Sequence, residues 1–563
     1  MRNVRNSARA LTALALCLAF APALAQIPNA GQILKEVTPE PTVPAKPNPK
    51  LLPPITPSKT GKAPSGPSIS LMLRSVRFKG NTVYNAQKLQ PLVQAYIGKK
   101  IGMPELQEMA TAVTDYYQRG GYFLAHAFYE PQDVSNGDLQ ISILEGTVGR
   151  VRVEKAPDAP VPESRINGLL SAVKPGQPLN QYQLERAMLL VSDLPGINAQ
   201  SSLEAGVEPG TTDLLVQITK GRRLRVSFDA DNFGTYYTGY YRLGGTLRWL
   251  SPLSLGDAVD LRLLGSNESG VLFGRLGYEV PVGSSGLRFN AGMGRLNYEL
   301  QKELAALGGR GYADTADLGF TYPLIRSRGQ NLYAQVGMIG KRLEDRFETL
   351  GEVTDKHILM GSAGLNYELR DRLLGGGYTS LSGTLYAGRL NIITAAVEQI
   401  DQAPNGPHTE GAFTKFGFGV SRLQSIRGPF TAFVGLTGQL ANKNLDSAER
   451  IALGGATAVR AYPASEGIVA EGAVATAELR YSFLNDFTAS VFYDAGWGRI
   501  NIDPVPGTGE NNVRLRGYGL GLSWVRPGSF SLRASVAWRD TGPPTSDPHD
   551  RKPLVFAQAV KTF

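Results

Sequence analysis

The 563-residue chain is too long for one compact domain, and its formal charge of +9 comes without any basic cluster interleaved with aromatics, which argues against a nucleic-acid surface and for a basic lumen or basic loops. No stretch approaches 18 consecutive apolar residues, so transmembrane helices are excluded. The single cysteine, Cys17, excludes a disulfide framework.

Residues 1–25 read as a secretory signal peptide. Arg2, Arg5 and Arg9 form the positive region, Leu11 to Phe20 the apolar core, and Ala23-Leu24-Ala25 a small-residue cleavage site. Cys17 does not read as a lipidation site, because Leu16 precedes it where a small residue is needed. Cleavage after Ala25 leaves a chain without cysteine and lowers the formal charge to +6 through loss of those three arginines. A secreted chain without membrane helices is either soluble or a β-barrel.

Residues 26–70 divide into a helix of about two turns at 30–37 and a tether carrying ten prolines between Pro39 and Pro67. So short a helix is unstable alone in water. The proline density dictates an extended, semi-rigid linker.

Residues 71–221 hold an internal repeat, expected as two domains over 71–147 and 148–221. Asp138 to Gly146 (DLQISILEG) is echoed by Asp213 to Gly221 (DLLVQITKG), and each copy reads strand, helix, helix, strand, strand. Leu89, Leu92, Val93 and Tyr96 fall at helical spacing, as do Leu184, Ala187, Met188 and Val191. Asn85 and Asn180 are the expected caps. These stripes read as core, which leaves an exposed strand edge able to pair with an extended polypeptide.

From residue 222 the period becomes two. Leu224, Val226, Phe228 and Ala230 alternate with Arg225, Ser227, Asp229 and Asp231, and Ala473 to Phe483 alternates against Val474, Thr476, Glu478, Arg480 and Ser482. A soluble sandwich also alternates. The charges on the polar parity and the length of the pattern favour a transmembrane barrel over 222–563; sixteen strands would take about 21 residues each, and counting alone allows fourteen or eighteen as well. In the stretch from Phe487 to Trp497, parity alone points Phe492, Asp494 and Gly496 into the lumen. Gly496 leaves room there for another backbone. A loop at about 441–469 carries Val459, Arg460, Ala461 and Tyr462. Its length marks it as functional. In a partly desolvated lumen Arg460 needs a carboxylate, whereas on an open loop it is simply solvated.

The stretch Glu449 to Gly455 followed by Val459-Arg460-Ala461-Tyr462 resembles the loop signature VRGY of the POTRA-plus-barrel outer-membrane superfamily, and Phe492, Asp494 and Gly496 resemble its barrel-wall partner motif F-x-D-x-G. Phe78-Lys79-Gly80-Asn81-Thr82, Arg119-Gly120-Gly121-Tyr122, Pro131-Gln132 and Leu144-Glu145-Gly146 are similar to the POTRA domains of two-partner secretion transporters (the TpsB family), as are Asp231 to Gly234 and Ser251 to Asp257 at the start of the barrel. One departure is Ala461, which stands where the family has glycine; a positive φ there would be strained. A second LRGY, Leu515 to Tyr518, lies inside an alternating strand and reads as coincidental.

The resemblance implies two βααββ POTRA domains in the periplasm, a 16-stranded antiparallel outer-membrane barrel and an N-terminal plug helix. It implies export of a large secreted exoprotein, an adhesin or cytolysin, which is bound by the POTRA domains and passes unfolded through the barrel. Outer-membrane lipid, lipopolysaccharide, periplasmic chaperones and the barrel-assembly machinery are the other implied partners, with no cofactor and no metal. A barrel-assembly insertase and a passive porin or receptor are the alternatives. Four scattered histidines (His126, His357, His408 and His549), with no HExxH or GxSxG, give no catalytic constellation.

Overall fold

The computed structural model describes residues 28–37 and 70–563; the expected signal peptide and proline-rich tether lie outside the described residues. In the first repeat, strand Ser75–Lys79 pairs in parallel with Asp138–Leu144, and His126–Phe128 pairs with the latter in antiparallel fashion. Helices Ala86–Val93 and Met103–Arg119 cover one face, and Leu89, Val93, Met109, Val113, Tyr117 and Ile141 are wholly inaccessible between the layers. Asn85 caps the first helix by accepting the Lys88 N–H at 3.1 Å, and Glu105 reaches back to the Gly102 N–H at 2.7 Å. The second repeat has the same order, with Thr147–Lys155 and Thr211–Lys220 parallel and Ile197–Ala205 on the far edge. There Asn180 accepts the Tyr182 N–H at 2.9 Å, while its own amide donates to Gly120 O at 3.2 Å, so one residue caps a helix and joins the repeats.

Glu145, in the Leu144-Glu145-Gly146 motif, is buried and bonds Thr82, the Val83 N–H at 2.9 Å and the Tyr117 hydroxyl at 2.8 Å. It ties the strand end, the Gly80-Asn81-Thr82 turn and the long helix together. Glu145→Ala would strand the buried Tyr117 hydroxyl and leave the half-buried Val83 N–H unmet, an expected cost of about 1–3 kcal/mol. The predicted outcome is rapid tryptic cleavage at Arg119 in the folded, membrane-inserted protein, with the barrel untouched.

Residues 224–562 form one closed antiparallel barrel of sixteen strands, each paired with its chain neighbour and the last, Leu554–Thr562, with the first, Leu224–Asp231. Among the described residues no helix is long and apolar enough to cross a membrane; strands make the crossing. The two faces separate by parity: Val491, Tyr493 and Trp497 are exposed outward while Phe492 and Asp494 are buried inward. At the end bearing the repeats, an outward aromatic belt runs from Phe430–Tyr481 (5.0 Å) through Phe483–Phe487 (5.6 Å) and Phe487–Trp524 (5.4 Å) to Trp524–Phe530 (5.3 Å).

The second repeat is clamped to the barrel's turns. Arg326 forks onto Asp193 at 2.7 and 2.8 Å, Arg186 donates to Pro323 O at 2.7 Å, and Glu185 accepts the Arg328 N–H at 2.6 Å. In the Ser251–Asp257 turn the inaccessible Asp257 accepts the Leu253 and Leu255 N–H groups at 3.3 and 3.2 Å, and Ser251 Oγ donates to Pro195 O at 2.6 Å.

Candidate functional site: a luminal loop, its wall and a helix

The segment between strands Phe430–Ala441 and Glu471–Phe483 folds into the lumen. It is more ordered than its length and composition indicate: Ser447–Glu449 makes a helical turn, and Ile451–Ala452 pairs with Ile468–Val469 as a small ladder. The expected loop at about 441–469 thus carries secondary structure of its own. The ladder is bridged by main-chain bonds that alternation cannot reveal, such as Val459 N–H to Leu453 O at 2.9 Å.

Arg460 sits at the tip. Its Nε and Nη2 donate to the two oxygens of Asp494, each at 2.8 Å, and its main-chain N–H adds a third bond at 3.2 Å. Asp494 has no accessible surface and also accepts from Thr476 Oγ1 at 3.0 Å. The guanidinium carbon lies 3.4 Å from the centre of the Phe492 ring, so the phenyl face supports the cation between two strands. Nη1 donates to Glu478 at 2.6 Å. Glu478, held in turn by Arg480 Nε at 2.7 Å, was not anticipated as a partner. The signal was partly present, because Glu478 shares the luminal parity; what was missing is the register, which sets Thr476 opposite Asp494 and Glu478 opposite Phe492. The two carboxylates together hold the guanidinium in place.

Val459, Ala461 and Tyr462 are buried with Leu453, Phe492 and Leu515 in one apolar cluster. Tyr462 donates to Gly542 O at 2.9 Å. A Cβ on Gly496 would approach Val459 Cγ2 at 3.0 Å, so that glycine admits the loop. Ala461 is absent from the positive-φ residues, so its backbone carries no such strain. Its methyl group instead occupies the space where Gly517 would carry a Cβ. The Leu515–Tyr518 repeat of the motif thus supplies, on the strand Asn512–Arg526, the glycine that receives the loop's alanine. Gly517→Ala is expected to lift the loop at a cost of about 1–3 kcal/mol. Restoring space with Ala461→Gly should reverse it, as read by protection of Arg460 from trypsin.

The base of the loop is tied by charge. Glu449 is flanked by Lys341 and Lys415 at 2.7 Å each, and Lys356 meets Asp446 at 2.7 Å. On this base rests the helix Ala30–Val37, buried along most of its length. Ala30 N–H donates to Asp345 Oδ1 at 2.8 Å, Asn29 Oδ1 accepts from Ser447 Oγ at 3.0 Å, Lys35 bonds Arg450 O, and Glu36 bonds Ser465. Gly31 permits the contact, since a Cβ there would lie 2.5 Å from Ala448 Cβ. Ile33, Leu34 and Val37 enter the luminal apolar cluster with Phe273 and Tyr298. Elsewhere the inner wall holds paired charges: Arg275 with Asp317 (2.7 Å), Arg262 with Asp229 (2.8 Å) and Arg422 with Asp371 (2.8 Å).

A closed sixteen-stranded barrel preceded by two βααββ domains, its lumen filled by its own helix and an inward loop, defines the POTRA-plus-barrel class of outer-membrane protein, with the N-terminal domains in the periplasm. Residues 210–524 match the family "Haemolysin secretion/activation protein ShlB/FhaC/HecB" and residues 71–146 the "POTRA domain, ShlB-type", and the chain belongs to that haemolysin secretion/activation family. The Heme/hemopexin transporter protein HuxB of Haemophilus influenzae (strain 86-028NP) is 27% identical over 86% of each chain. The outer membrane transporter CdiB of Dickeya dadantii is 24% identical over 72% of this chain and 71% of its own. Among solved structures, CdiB from Escherichia coli superposes with a TM-score of 0.71 at 20% identity, covering 90% of this chain and 93% of that one. BamA from Haemophilus ducreyi lacking POTRA domains 1–3 gives 0.51 at 13% identity, covering 88% of this chain and 100% of that one.

Proposed function

We propose that this outer-membrane transporter exports one large secreted partner protein by two-partner secretion, the partner entering unfolded from the periplasm and leaving as an extended chain through the barrel. The carrying observation is a lumen occupied by a two-turn helix and an inward loop that are not part of the barrel wall. A main-chain docking edge supports the entry step. Strand Ser75–Lys79 lies at one edge of the first POTRA sheet, whereas at the opposite edge the Ala127 N–H is already taken by Thr114 Oγ1 at 2.9 Å. In this reading Val459, Arg460, Ala461 and Tyr462 form the loop element that braces the lumen against Phe492, Asp494 and Gly496, and the helix at 30–37 is the plug. The function is transport without catalysis, in a surround of outer-membrane lipid and lipopolysaccharide and with biogenesis through periplasmic chaperones and the barrel-assembly machinery.

The test is deletion of the gene followed by analysis of the culture medium and the outer-membrane proteins. One very large protein should vanish from the medium while other barrels keep their levels. A general loss of barrels would assign the chain to barrel assembly, and an unaltered medium would remove export.

A further inference from the structure

Two hairpins at the periplasmic end carry leucines where the backbone disfavours them. Leu374, between Glu352–Asp371 and Gly377–Ile392, has φ 49°, and Leu484, between Glu471–Phe483 and Phe487–Arg499, has φ 46°. In this left-handed region a side chain crowds its own carbonyl, and glycine or asparagine is the ordinary occupant. Neither leucine is compensated by packing: they are 77% and 78% exposed, next to the exposed Leu373 and Phe483–Phe487 neighbourhoods respectively. A strained position kept for a side chain left about three-quarters exposed points to a contact outside the protein.

Part of the main chain of both hairpins is bonded internally. Gln424 Nε2 donates to the carbonyls of Leu373 and Leu374 at 2.9 and 3.1 Å, and Asp371 accepts the Leu373 N–H at 2.9 Å. In the other hairpin Asp486 N–H donates to Leu484 O at 2.6 Å, and Asp486 O accepts the Val525 N–H at 2.9 Å. Each carbonyl so bonded lowers the cost of sitting at the headgroup level of a membrane, where unmet backbone groups are costly. The 484–486 hairpin also continues the outward aromatic belt, since Phe483 and Phe487 flank the turn on either side. Two of the turns beneath the second POTRA domain differ in chemistry, although the third, 251–257, also carries an exposed leucine, Leu253. Residues 283–286 are Gly-Ser-Ser-Gly and 327–329 Ser-Arg-Gly, and they are held by Arg165 (3.2 Å to Gly283 O) and Glu185.

We infer that the 372–376 and 484–486 hairpins are lipid anchors, with Leu374 and Leu484 seated at the headgroup–acyl boundary of the phospholipid leaflet facing the periplasm. Burial of the leucines in lipid offsets the backbone cost. The inference rests on the barrel being membrane-embedded and not on what it exports, so failure of export leaves it standing.

The test uses the full chain with Cys17→Ser and a nitroxide label on L374C, L484C or, as the solvated reference in the opposite loop, T508C. Heat-modifiable barrels are reconstituted into phosphatidylethanolamine/phosphatidylglycerol vesicles, and collision rates with oxygen and with a water-soluble nickel chelate are compared. The oxygen-to-nickel ratio is expected above one at 374 and 484 and below one at 508. Ratios at 374 and 484 as low as at 508 would overturn the anchors and leave the turns to water or a periplasmic protein. A second variant separates anchoring from strain: L374N/L484N relieves the backbone but removes the apolar side chains. A lowered melting temperature in vesicles supports the anchors, and an equal or raised one overturns them.

Discussion

Arg460→Ala is expected to abolish export while the barrel still assembles, with Asp494→Ala close behind and Glu478→Ala weaker. The order follows from the bonding. Loss of the arginine leaves the inaccessible Asp494 without any cation and Glu478 with Arg480 alone, whereas loss of Asp494 leaves the guanidinium with Glu478, and loss of Glu478 leaves the fork onto Asp494 intact. Breaking a buried pair from one side costs about 3–5 kcal/mol, enough to release the loop tip from the wall. Arg460→Lys should recover little, because an ammonium cannot fork onto one carboxylate, bond a second and lie flat on Phe492 at once. The measurement is cargo in the medium against the amount of heat-modifiable barrel in the membrane. Full secretion by both the Arg460 and the Asp494 variants would remove the bracing role.

Deleting residues 30–37 is expected to turn a closed lumen into a conducting pore in planar bilayers. Gln32 lines both of two luminal cavities, of about 1340 and 680 Å³, so the helix stands between them. A two-turn helix has little stability of its own, and its position is set by the contacts of Ile33, Leu34 and Val37 and by its bonds to the loop base. Gly31→Leu tests the same seat without a deletion. Forcing a side chain against Ala448 costs about 1–3 kcal/mol. That raises the undocked population by about 5- to 150-fold. Unchanged conductance in both variants would count against a plug.

Much of this architecture was legible before any coordinates. Period-two alternation with charges on one parity marks the barrel, and parity alone turns Asp494 inward. Arg460 needed more. Nothing local in a thirty-residue loop separates an arginine folded inward from a solvated one, and only the resemblance of the flanking motifs did so. Glu478 escaped because a partner on the adjacent strand depends on register, which sequence alternation leaves free. The role of Gly517 escaped for a related reason: the space it leaves is filled by Ala461, 56 residues earlier, and a repeated motif drew attention to the wrong feature of it. The depth at which the 30–37 helix sits is likewise a tertiary fact, since an eight-residue stripe fits a surface as well as a lumen.

The pairing of arginines with carboxylates along the inner wall has a consequence for traffic. With Arg275, Arg262 and Arg422 each matched to an aspartate, the conduit presents short-range dipoles rather than a field of one sign. At these three positions acidic and basic stretches of a passing polypeptide meet no isolated charge.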